Sequence, residues 1–289
     1  MKPAPLAYLR ACSAEEALEA LHQEGSDVRI LAGGQSLIPM LNMRLARPAL
    51  LVDVMHIPAL QSIDADATRV TIGAAVRQCA IEAWPALPRR LRLLAAALPW
   101  VGHIQTRSRG TLCGSVAHAD PSAEIPLVLV ALGGLVHLRS HRGARRLPAA
   151  AFCTGMMATA CEPDEMIEAI SLPSDQPGTG YAFREIGRRH GDFAIVACAA
   201  VATANGATLA VGGVADRPMA RSFALPATPG DAAALDDALD AFAWDLDARD
   251  DLHATARYRR ELVRRLGRIV IEEAAQGRAV IEEAARCRA

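Results

Sequence analysis

The chain has 289 residues, room for about two domains at roughly 100–200 residues each. Apolar residues make up 52% of it and aromatics only 4%, so Leu, Val, Ile and Ala must fill the core. A net charge of −1 excludes a long-range field for nucleic acid or an acidic membrane surface.

In chain order, Met1–Arg10 carries two prolines and no apolar h-region, which does not suit a signal peptide. Ser13-Ala-Glu-Glu16 is a capping box, with Ala17, Leu18 and Leu21 following at helical spacing and Gly25 closing the helix. Val28–Ala32 and Leu50–Val54 are short apolar strands, the first broken by Gly33-Gly34. Asp64–Thr68 is a turn, Val70–Gly73 a strand, Ala74–Ala83 opens a helix, and Arg90–Leu98 is a short helix ended by Pro99. After the glycine-dotted stretch Arg107–Pro121 come a buried helix at Ala123–Leu132 and strands at Leu135–Arg139 and Met166–Leu172. The Pro- and Gly-rich Ser174–Gly180 reads as a domain boundary. Beyond it, Tyr181–Ile186, Ala194–Thr203 and Thr208–Gly213 read as three antiparallel strands, with Asn205-Gly206 as a hairpin turn. Asp231–Ala243, with Asp231 as N-cap, and His253–Ala275 are helices. Val270–Ala279 and Val280–Ala289 share VIEEAA, which two copies make a local duplication and not a solenoid.

The seven cysteines, Cys12, Cys79, Cys113, Cys153, Cys161, Cys198 and Cys287, are scattered, with no C-x-x-C and no iron–sulfur ligand run, which fits a reducing compartment. The longest apolar stretch, Ile125–Val136, is short of the about 20 residues that cross a bilayer. A soluble, cytoplasmic protein is expected.

Two places invite a phosphate. In Leu31-Ala-Gly-Gly-Gln-Ser-Leu37, the glycines permit φ > 0 and remove Cβ, so the amides can converge as an anion nest, with the Ser36 hydroxyl beside them. A tight turn after a strand explains the same residues. The G-x-G-x-x-G fingerprint is absent, which argues against an ordinary Rossmann site. In Thr111-Leu-Cys-Gly-Ser115, hydroxyls flank one glycine, and Glu124 is placed to accept from ribose hydroxyls. His118 and Asp120, just before Pro121, read equally as an Asx turn and helix cap, and with no third ligand at a natural spacing they make no metal site.

Four stretches together resemble the FAD-binding medium subunit of the molybdenum hydroxylases, the group of carbon monoxide dehydrogenase, xanthine dehydrogenase and quinoline oxidoreductase. They are LAGGQSLIPMLNMRLARPALLVDV (31–54), RGTLCGSVAHADPSAEIP (109–126), YAFREIGRRHGDFAIV (181–196) and DLHATARYRRELVRR (251–265). The resemblance implies an α+β chain. Residues 1–175 would be a two-subdomain FAD-binding fold of the PCMH/vanillyl-alcohol-oxidase type, divided at about 57/58, and 176–289 a smaller α+β domain with a three-stranded antiparallel sheet and helices. It implies that Ala32, Gly33, Gly34, Gln35, Ser36 and Leu37 wrap the FAD pyrophosphate, and that Thr111, Gly114 and Ser115 make a second clamp followed by His118 and Asp120. Val101 would lie near the adenine and Glu124 on the cofactor, with Ile167, Arg184 and Phe193 near the flavin ring. Cys113 departs from the usual glycine of T-x-G-G, which implies altered local geometry, and Phe193 departs from the usual tyrosine. As a redox thiol, Cys113 has no neighbouring cysteine to resolve it.

A flavin couples one-electron donors to two-electron acceptors. With no iron–sulfur run or molybdopterin signature here, the resemblance implies partner chains: a small [2Fe–2S] subunit and a large molybdopterin–molybdenum subunit, as a dimer of heterotrimers, with an external electron acceptor. No residue of this chain would do acid–base chemistry on the organic substrate. A stand-alone flavin oxidoreductase and a flavin-free structural subunit are the alternatives.

Overall fold

A computed structural model describes residues 2–225 and 232–286; Asp231, the expected N-cap, lies outside them. The capping box forms with its return bond shifted by one residue, to Cys12 and not to the N-cap Ser13. Ser13 Oγ accepts from the Glu16 amide at 3.1 Å, and the Glu16 carboxylate takes the Cys12 amide at 2.7 Å. The helix it starts, α1 (Ala14–Glu24), buries Ala17, Leu18 and Leu21 and ends at Gly25, φ 54°. It covers a parallel sheet in the order β1-β3-β2, made by β1 (Ala7–Arg10), β2 (Val28–Leu31) and β3 (Leu50–Asp53), with α2 (Leu37–Asn42) between the last two. Strand β1 was not expected from sequence. It is an edge strand whose residues are mostly exposed, so it has no apolar alternation to read.

The second layer is an antiparallel sheet in the order β4-β5-β10-β6-β7. Strands β4 (Ile63–Ala65) and β5 (Arg69–Gly73) form a hairpin whose Asx turn is closed by Asp66, Oδ1 accepting from the amides of Thr68 and Arg69. Between β5 and β6 run six helices: α3 (Gln78–Glu82), α4 (Leu87–Arg90), α5 (Arg92–Ala97), α6 (Ile104–Arg107), α7 (Leu112–His118) and α8 (Glu124–Ala131). Every residue of α8 is buried. Strands β6 (Leu135–Ser140) and β7 (Gly143–Pro148) form a hairpin, followed by α9 (Ala149–Phe152), the small hairpin β8 (Cys153–Gly155) and β9 (Ala158–Thr159), and then β10 (Met166–Pro173). The register of β10 on β6 shifts between Ile167 and Ala169, a bulge beside the cleft described below.

The segment 174–180 is pinned to the first half: Asp175 Oδ2 accepts from the Arg92 amide at 2.9 Å and from its Nε at 2.8 Å. After it come four antiparallel strands, not the three expected: β11 (Gly180–Ile186), β12 (Val196–Thr203), β13 (Gly206–Gly212) and β14 (Met219–Phe223). The β12–β13 turn sits one residue earlier than expected, since Thr203 pairs with Gly206, φ 142°. Helices α10 (Ala232–Asp245) and α11 (Ala256–Arg286) follow. Helix α11 is longer than the apolar pattern indicated, because its backbone continues through the first VIEEAA and into the second.

Strands β11 and β12 have two working faces. Phe183, Ala197 and Ala199 join the core of the first half, while Ala182, Val196, Cys198 and Ala200 join a second core with α10 and α11. Alternation along a strand sends successive side chains to opposite sides, so one sheet closes both cores. No helix among the described residues is long and apolar enough to cross a membrane.

Candidate functional site

The turn after β2 is built by two glycines with different duties. Gly34 has φ 71°, which favours glycine, whereas Gly33 is needed for closeness. A Cβ on Gly33 would sit 2.5 Å from Gly110 Cα and would also strike the Arg109 carbonyl. The first glycine turn therefore rests directly on the backbone that leads into the second. Among the described residues, the amides of Gly33, Gly34, Gln35 and Ser36 donate to no protein carbonyl, so they are available to a ligand.

The second turn is not an open loop. Thr111 is the N-cap of α7, its Oγ1 accepting from the Gly114 amide at 2.9 Å. Cys113 lies inside that helix with no left-handed φ, so its side chain brings none of the altered geometry expected of it. Its thiol is buried and donates to the Ile72 carbonyl at 3.7 Å; burial pushes it up to about 12, the opposite of a reactive thiolate. Left-handed backbone occurs instead at Ala119, φ 50°, where α7 ends, and at Met157, φ 51°, whose amide donates to the Ala119 carbonyl. Asp120 then makes the Asx turn, accepting from the Ser122 amide at 2.8 Å.

These turns line one cleft of about 1370 Å³ between the two halves of the chain. Its wall includes Ala32, Gly33, Gly34, Gln35, Ser36, Leu37, Val101, Thr111, Gly114, Ser115, His118, Asp120, Glu124, Ile167 and Phe193. Arg184 does not join them. It projects from the other face of β11 and pairs with Glu273 of α11. Ile167 reaches the wall at the β10 bulge. Glu124 is 7% exposed, and burial, with the charge of Asp120 adding and its own amide opposing, pushes its carboxyl up to about 7. Among the described residues, no group of three or more His, Cys, Asp or Glu side chains is placed to hold a metal.

Residues 4–175 match the family described as FAD binding domain in molybdopterin dehydrogenase, and residues 181–274 match the CO dehydrogenase flavoprotein C-terminal domain. The chain belongs to the FAD-binding medium subunits of the molybdenum hydroxylases. It is similar to the nicotine 6-hydroxylase medium subunit of Paenarthrobacter nicotinovorans, 36% identical over 282 residues, 95% of this chain and 99% of that one. It is also similar to the 6-hydroxypseudooxynicotine dehydrogenase complex subunit alpha of the same organism, 40% identical over 203 residues, 70% of this chain and 69% of that one. Reconstituted CO dehydrogenase from Oligotropha carboxidovorans superimposes with a TM-score of 0.91 at 32% identity, covering 96% of this chain and all of that one.

The cleft of this medium subunit fits its cofactor on three counts: touching glycine backbones, free amides in the first turn, and a wall that combines apolar surface with polar and charged side chains. Sequence reasoning missed several wall residues. Gln78, 4% exposed, donates weakly from Nε2 to the Thr111 carbonyl at 3.4 Å and braces the second turn. Arg188, Arg189 and Gly191 come from the loop after β11, and Gly191 folds so tightly that a Cβ would lie 2.7 Å from the His103 ring. The RRHG string within the resemblance was the available signal for that loop; nothing in the sequence pointed to Gln78.

Proposed function

We propose that this medium subunit holds one FAD in the cleft and relays electrons from [2Fe–2S] centres of a small subunit to an external acceptor. The organic substrate would be oxidised on a large molybdopterin subunit, the whole assembling as a dimer of heterotrimers in the cytoplasm. The observation that carries the reading is the contact of Gly33 with Arg109–Gly110, which puts both glycine turns on one cleft.

Bound there, FAD supplies exchange between one-electron and two-electron partners. The amides of Gly33 to Ser36 would donate to the diphosphate, and the hydroxyls of Ser36 and Ser115 would add a donor from each turn. Thr111 acts by holding the first turn of α7, because its Oγ1 is engaged with Gly114. Val101 would pack on the adenine side. Glu124, and the Asp120 oxygen left outside its Asx turn, would accept from sugar hydroxyls, with His118 on the same wall. Ile167, at its bulge, and Phe193, 72% exposed on the rim, border the ring and limit water there. Residues 1–175 form the cofactor unit, and 176–289 the unit that closes it from the β11–β12 side.

The test is the purified complex. With Gly33 replaced by Val, flavin absorbance should be lost and turnover with the final acceptor should stop, while the organic substrate still reduces the metal centres. Full flavin content in that variant would refute the assignment of the first turn.

A further inference from the structure

The fourth matching stretch, 251–265, sets one side chain, His253, on the cleft wall. Its buried arginine, Arg259, is not part of that wall. Arg259 is the fourth residue of α11 and is 4% exposed. A cation in the first turn of a helix opposes the macrodipole, and a buried one must find acceptors, so the helix itself does not explain an arginine here. Its Nη1 donates to the Ile195 carbonyl at 2.5 Å, just before β12, and to the Gly213 carbonyl, just after β13. Its Nη2 donates to Asp251 Oδ2 at 2.5 Å. Among the described residues, Nε has no partner.

Each acceptor belongs to a different piece of the wall. Ile195 lines the cleft, and its amide donates to the Ile186 carbonyl at 2.8 Å, closing the loop that carries Arg188, Arg189 and Phe193. The Gly213 amide donates to the Pro121 carbonyl at 2.7 Å, next to Asp120 on the wall of the first half. Asp251 Oδ1 accepts from the amides of His253 and Ala254, at 2.8 and 2.9 Å, which fixes the turn that presents His253. Arg188 holds the same turn from the other side, its Nη2 donating to the Leu252 carbonyl at 3.0 Å. One guanidinium thus gathers three segments that are distant in sequence.

We propose that Arg259 is a positioning residue for the cofactor: its planar fork clasps the Ile195, Gly213 and Asp251 segments and so presets the wall of the second half before FAD arrives. The clasp stands on the hydrogen bonds alone; its effect on FAD rests on the reading of the cleft given above. A wall already in place leaves less ordering to offset on binding. Lysine keeps the charge at 259, but it is a point donor on a flexible stem and does not reproduce the fork. By linkage, bound FAD should in turn protect the same segments.

The test uses the purified full chain, flavin-loaded and flavin-stripped, and compares Arg259→Lys with Val270→Ala. Val270 is buried in the second core further along α11 and does not line the cleft, so its truncation lowers stability without touching the clasp. Amide hydrogen exchange reads the clasp, each variant being held the same interval below its own melting temperature. In stripped Arg259→Lys the amides of Ile195, Gly213 and His253 should all exchange faster than in Val270→Ala, and FAD should slow them in the wild type. FAD titration reads the consequence. Kd should rise on the order of tenfold in Arg259→Lys, about the worth of one hydrogen bond to a charged group, and stay within twofold in Val270→Ala. Asp251→Asn removes one charged arm, and should release His253 while Gly213 stays protected; it carries the comparison if Arg259→Lys does not fold. Amides that exchange no faster than in Val270→Ala, or an unchanged His253 in Asp251→Asn, overturn the clasp. A released clasp with unchanged Kd, or an equal loss of affinity in Val270→Ala, overturns its role in placing the cofactor. A wild-type chain that takes up no FAD refutes the cofactor reading, while the exchange comparison still decides the clasp.

Discussion

The most exacting test of the cleft is the smallest change, Gly33→Ala. The new Cβ would sit 2.5 Å from Gly110 Cα, and ordinary contact begins at 3.4 Å, so the two turns must part by at least the difference of 0.9 Å. Overpacking of this kind costs about 1–3 kcal/mol. At about 1.4 kcal/mol per decade, FAD affinity should fall by roughly 5- to 150-fold. The assay is quenching of FAD fluorescence on titration with stripped protein, paired with a thermal melt. Gly133→Ala is the control: φ there is 61° and a Cβ would meet nothing within 4 Å. It carries the backbone strain, about 1 kcal/mol, without the clash, and should lower stability while leaving FAD affinity alone. If Gly33→Ala binds FAD within twofold of wild type, the contact between the turns does not shape the site.

Three further outcomes follow from the geometry. Arg184→Ala should leave FAD affinity unchanged and cost under about 1 kcal/mol, because its ion pair with Glu273 is largely solvent-exposed where β11 meets α11; a tenfold weaker Kd would put Arg184 back in the site. Thr111→Ala should cost about 1 kcal/mol and weaken FAD binding through the first turn of α7, with Thr111→Ser restoring both; equal loss in the Ser variant would contradict a capping role. The buried carboxyls of Glu124 and Glu185 both stand above their ordinary value of 4.5, so folding binds protons. Their stabilisation is complete below about 4.5 and is lost as pH climbs to about 8. The melting temperature of stripped protein should fall across that window and fall less in Glu185→Gln; a flat wild-type profile would be inconsistent with the burial.

What could be read in advance was local. The capping box at Ser13 and the strands flanking Gly33-Gly34 carry their geometry in a few adjacent residues, and so did the buried helix α8. The division of labour between Gly33 and Gly34 was not legible, since the first depends on backbone 76 positions away. Parity was the other blind spot. Arg184 and Glu185 are neighbours in one matching stretch, yet strand alternation sends one to α11 and the other to the face it shares with Phe183, and only the packing of α11 says which. Edge strands β1 and β14 escaped because a half-exposed edge has little apolar pattern to reveal it.

The cleft wall draws on segments as distant as Ser26 and His253, and the sheet carrying Phe183 closes one core while supporting another. A ligand that spans such a wall stabilises the folded chain by RT ln(1 + [L]/Kd). Loading the cleft with the proposed FAD should therefore raise the melting temperature of the chain in step with the free cofactor concentration.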